Sequence, residues 1–78
     1  MNAVRIRKKL SGGFRPFSLR TSDGREYDVR HPEWILLGPR TLGVLDSDGE
    51  IVTVDLLHVV ALKDLPRGGN GFGSQQPM

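Results

Sequence analysis

FSLRTSDGREYDV, residues 17–29, decides the fold class. Phe17 and Leu19 alternate with Ser18 and Arg20, and Tyr27 and Val29 resume the alternation further on. A period of two places each apolar pair on one face of a half-buried strand. Asp23-Gly24, between the two runs, is a turn: glycine takes positive φ without a Cβ clash, and aspartate can bond its own backbone. The segment is therefore read as a β-hairpin whose inner face carries Phe17, Leu19, Tyr27 and Val29.

Downstream the strand signals continue. His31-Pro32 interrupts the second strand, because proline gives the ladder no N–H and pushes its predecessor towards extended geometry. Trp34-Ile35-Leu36-Leu37 follows at once, so the strand is expected to bend or bulge there and carry on. Gly38-Pro39 makes the next turn and Thr41–Leu45 the third strand, with Gly43 marking a close approach or a sharp curl. Asp48-Gly49 closes a second hairpin into Ile51–Asp55. Leu56-Leu57-His58 is too apolar for a loop and reads as one tight helical turn. Val59–Leu62 is the last strand. Five short bent strands with brief turns predict an open or closed small barrel rather than a sandwich, with residues 14–63 curled into a closed ribbon.

Upstream of the hairpin, Asn2 is a good helix N-cap, Lys8 and Lys9 suit a helix C-terminus, and Gly12-Gly13 supplies a left-handed stop. Ala3, Ile6 and Leu10 fall on one side of a helical wheel, opposite Arg5, Lys8 and Lys9. The segment also alternates as a strand, with Val4, Ile6 and Leu10 together. A helix over about 3–11 is preferred, and one so short must dock its apolar stripe on the rest.

The 78 residues allow one small domain, and a hydrophobic share of 37% makes its core thin. Residues 1–65 are assigned to that domain. Residues 66–78, PRGGNGFGSQQPM, hold too little apolar surface to offset their ordering entropy and are expected to be a disordered Gly/Pro-rich tail. The absence of cysteine excludes a disulfide scaffold, a cysteine zinc site and a thiol nucleophile. No apolar run approaches a membrane span and no secretory stretch follows the basic N-terminus, so a cytoplasmic location is expected.

Charge is distributed unevenly. Residues 1–20 hold Arg5, Arg7, Lys8, Lys9, Arg15 and Arg20 with no acid, while residues 21–78 hold five bases against nine acids. A basic N-terminal element thus sits on an acidic body. Arg5, Arg7, Lys8, Lys9 and Arg15 are the candidate contacts for RNA, DNA or an acidic partner, with binding that fades in salt. No aromatic platform is interleaved with them, unlike typical single-strand binders.

Other candidates are weaker. Asp28, His31 and Glu33 are the only clustered ligand or acid–base types, but Pro32 prevents placing all three on one face. Trp34 is expected in the core, given its neighbours and its area, with a role as surface anchor as the alternative. Phe14 is assigned to the core. His58 lies in an apolar segment, and nothing in the sequence ties either histidine to a serine. No catalytic residue, metal site or cofactor is assigned.

FRPFSLRTSDGREYDVRHPEW followed by VDLLHVVAL resembles a widespread family of short bacterial proteins of unknown function, over roughly residues 4–63. Its members open with a short helix, a PF-x-PF entry and a DGR-x-Y-x-V-x-HPE hairpin. Here the entry departs, reading Gly13-Phe14-Arg15-Pro16-Phe17. The resemblance implies the N-terminal helix and brings no activity with it. A helix followed by five bent strands is also similar in plan to Sm-like RNA-binding rings and SH3-like barrels. In bacterial Sm-like proteins the final strands carry a Lys-His pair that touches RNA; the comparable place in this chain reads Leu57-His58, without the lysine. The expectation is a non-catalytic binding module. It would act on a protein partner or assemble with itself through an exposed strand edge. RNA binding by the basic helix is the alternative.

Overall fold

The computed structural model describes residues 1–66, so the expected disordered tail lies outside the described residues beyond Pro66. Helix α1 (Ala3–Leu10) leads into β1 (Phe17–Thr21) and β2 (Glu26–Val29). A 3-10 turn (Pro32–Trp34) precedes β3 (Ile35–Leu37), β4 (Thr41–Leu45) and β5 (Ile51–Asp55). A second 3-10 turn (Leu56–His58) delivers β6 (Val59–Asp64). None of these helices is long and apolar enough to cross a membrane.

The strands form two antiparallel sheets, ordered β2-β1-β6 and β3-β4-β5. The expected five-stranded closed barrel is corrected here: there are six strands, and no ladder joins the two sheets among the described residues. The cause is local. Pro32 has no N–H to give and opens a 3-10 turn, closed by a bond from Trp34 N–H to the His31 carbonyl at 3.1 Å. That turn cuts the anticipated bent strand into β2 and β3, which belong to different sheets.

The hairpin forms as expected. Phe17 faces Val29 and Leu19 faces Tyr27 across the β1–β2 pair, and Gly24 adopts φ 86° in the turn. β1 is the middle strand of its sheet, with Leu62 opposite Leu19 on the other side, and Ser18, on the opposite face, is buried as well. The β1–β6 register shifts between Arg20 and Thr21, which bends the strand.

Ile6, Phe17, Leu19, Val29, Leu42 and Val44 are the most deeply buried side chains and fill the space between the sheets and α1. Full burial of each is worth about 1.5–3 kcal/mol relative to exposure. Asn2 caps α1 by accepting a hydrogen bond from Val4 N–H at 2.7 Å, and Ile6 is drawn into the core with Ala3 and Leu10 beside it. Asp55 caps the second 3-10 turn in the same manner, accepting from Leu57 N–H at 2.9 Å. Leu56 is thereby turned inward, while Leu57 is left in solvent. Phe14, assigned to the core, is only half-buried, with its ring tilted against Phe17 at 6.2 Å.

Candidate functional site

Burying Ile6 fixes the orientation of α1 and turns its cations outward. Arg5, Arg7 and Lys8 are exposed and form no ion pair among the described residues. Lys9 differs: its ammonium donates to the Asp64 carboxylate at the end of β6. That hydrogen bond and charge, with Arg15 adding its own, hold the Asp64 carboxyl below its ordinary range. Arg15 is exposed beyond the Gly12-Gly13 reversal. Three of the five sequence-predicted contacts thus share the open side of one short helix, and a fourth is engaged by an acid.

Trp34 is neither core nor fully exposed. It closes the first 3-10 turn half-buried, packed on the core, with the His31 ring against it edge-on at 4.7 Å. Asp28 reaches Arg30 at 3.5 Å, and no three His, Asp or Glu side chains converge as a metal site among the described residues.

The outer face of the β3-β4-β5 sheet carries what sequence reasoning missed. Leu36 pairs with Gly43, and Leu45 pairs with Ile51, so these four share the face turned away from the core. Leu36 is 79% exposed and Ile51 76%. Gly43 lies between them, and a Cβ there would stand 3.5 Å from the Ile51 Cγ2 methyl. Of the close approach or sharp curl expected at Gly43, the neighbour found is a side chain at ordinary contact distance, and the missing Cβ leaves a groove. Its volume is about 320 Å³, and its walls include Trp34, Leu36, Leu45 and Ile51, with Glu33 at the rim. Trp34 and Leu45 also line an adjoining cleft of about 280 Å³ with Glu26, Asp28 and Asp46. The run Ile35-Leu36-Leu37 looked uniformly apolar in sequence; its period of two, visible once the sheet is known, is the signal.

A third cavity, about 360 Å³, opens between the first hairpin and β5, and His58 contributes to its wall. Here Ser22 Oγ lies 3.2 Å from His58 Nδ1, and Ser22 N–H donates to the His58 carbonyl at 2.7 Å. This corrects the expectation that no serine is tied to a histidine; the two are 36 residues apart in sequence. No carboxylate hydrogen-bonds the ring among the described residues, and the serine N–H is already committed to the His58 carbonyl. Beside it, the Thr21 hydroxyl and then the Arg25 backbone N–H hold Asp23 below the ordinary aspartate range, which locks the turn.

Compared with known proteins, the chain matches no family model, no curated protein and no solved structure.

Proposed function

We propose that the chain is a non-catalytic protein-binding module, similar in strand plan to SH3-like and Sm-like domains, that docks a partner on the outer face of the β3-β4-β5 sheet. A short N-terminal helix followed by bent antiparallel strands supports that comparison. Leu36 and Ile51 carry the reading. Two large aliphatic side chains more than three-quarters exposed on one face, with a groove between them, are what a docking surface offers. β3 and β5 are the outer strands of that sheet, the positions at which a partner strand would add.

Selection from a displayed library of random peptides tests it. Enriched peptides should bind the native protein and lose binding to a Leu36→Ser/Ile51→Ser variant that melts like the parent. Enrichment of none, or equal binding to both proteins, rejects the reading.

Nucleic-acid binding is the second reading, favoured by the open side of α1 with Arg5, Arg7 and Lys8. An electrophoretic shift with mixed RNA at low salt, fading as salt rises, is its signature.

A further inference from the structure

The rim of the groove bears a sign. Glu33 borders the apolar groove, and Glu26, Asp28 and Asp46 line the cleft that continues from it past Trp34 and Leu45. Among the described residues, no lysine or arginine lines either. Asp28 is partly answered by Arg30, but Glu26, Glu33 and Asp46 form no ion pair among the described residues. One oxygen of Asp46 accepts from the N–H groups of Asp48 and Glu50 at 2.9 Å each, which fixes that carboxylate in the turn beside the cleft. A half-buried indole forms the shared wall, so a cation lying along it meets an aromatic ring as well as carboxylates.

We propose that the occupant of this face is a cationic segment of a partner protein, with aliphatic side chains seated between Leu36 and Ile51 and lysines or arginines reaching Glu33, Glu26 and Asp46. The proposal rests on the protein-binding reading and adds the chemistry of the partner. Apolar contact supplies the affinity. The carboxylates supply selectivity, because an acidic segment would meet like charge on entering and a basic one would be drawn in. The cations of α1 play no part, since none of them lines either cavity.

Three short labelled peptides test it: leucine alternating with lysine, with glutamate and with serine. The native protein should bind the lysine peptide at least about tenfold more tightly than the glutamate peptide at low salt, and the gap should shrink as salt screens the rim. A Glu26→Gln/Glu33→Gln/Asp46→Asn variant keeps the Asp46 side-chain acceptor and should bind lysine and serine peptides alike. Leu36→Ser/Ile51→Ser should lose all three. Equal or tighter binding of the glutamate peptide overturns the cationic partner, and so does undiminished discrimination by the neutralised variant. In either case library peptides that depend on Leu36 and Ile51 leave the docking face standing. Binding of none of the three peptides overturns the proposal. Sedimentation showing that the protein alone self-associates through Leu36 and Ile51 assigns the face to a second copy, and overturns it too.

Discussion

Lys9 and Asp64, 55 residues apart in sequence, meet as an ion pair that fastens the last turn of α1 to the end of β6. The contact does two things. It ties the helix to the sheet at a point where only Leu10 is otherwise half-buried, and it withdraws one cation from the basic patch.

Acid should loosen that fastening. A carboxyl whose pKa falls on folding stabilises the fold above its unfolded value, about 4, and loses that contribution as pH drops through the lower folded value. Asp64 is lowered chiefly by the Lys9 hydrogen bond, so amide exchange at Lys8–Leu10 should quicken, relative to the core strands, below about pH 4. Asp64→Asn should produce the same loosening at neutral pH. Unchanged exchange in that variant would show the helix end to be held by packing alone.

The same substitution separates the two functional readings. If RNA binds α1, freeing Lys9 adds one cation to the patch, and the slope of log affinity against log salt should steepen by about 0.7 for a single strand. Binding of the lysine peptide on the outer face of the β3-β4-β5 sheet should not change. A peptide affinity that moved with Asp64→Asn would place the docking face nearer to α1 than the groove.

Buried and exposed leucines should part sharply. Leu19 is fully buried between β2 and β6, so Leu19→Ala should cost about 2–5 kcal/mol, a large share of what so small a domain has. Leu36→Ser removes a side chain that lies mostly in water and should stay within about 0.5 kcal/mol of the parent. Urea titration compares them directly. A Leu36→Ser midpoint that fell like that of Leu19→Ala would mean the outer face is covered in solution.

Much of the fold was legible because its signals are local. Phe17, Leu19, Tyr27 and Val29 announced their face by spacing alone, Asp23-Gly24 and Asp48-Gly49 announced their turns, and Leu56-Leu57-His58 announced a helical turn. Sheet membership was not legible. His31-Pro32 said that something breaks, but whether β3 continues the first sheet or begins a second depends on pairing with β4, which no local pattern contains. For the same reason the docking face stayed hidden: Ile35-Leu36-Leu37 reads as core until β4 fixes which of the three points outward. The Ser22–His58 contact was invisible because the backbone bond that positions it is made across 36 residues.

Glycines should likewise divide by conformation. Gly24 at φ 86° and Gly49 at φ 78° have open space around the Cβ position, so only backbone strain opposes a side chain there. Gly24→Ala and Gly49→Ala should each cost about 1 kcal/mol by thermal melting. Two parent-like melts would mean that both turns relax into geometries without positive φ.

Gly43 should respond in the opposite way, and this tests the groove itself. It has no positive φ, it sits in the middle strand of its sheet, and a Cβ there would make ordinary contact with Ile51. Valine favours a pleated strand over glycine, and the mostly exposed Ile51 side chain is able to turn aside for the added methyls. Gly43→Val should therefore keep or raise the melting temperature while filling the floor between Leu36 and Ile51. A groove that works by receiving aliphatic side chains then loses most of its affinity for the lysine peptide, although every carboxylate at its rim is intact. Retained affinity in Gly43→Val would mean that the rim alone binds, by charge, and that the space above Gly43 is incidental.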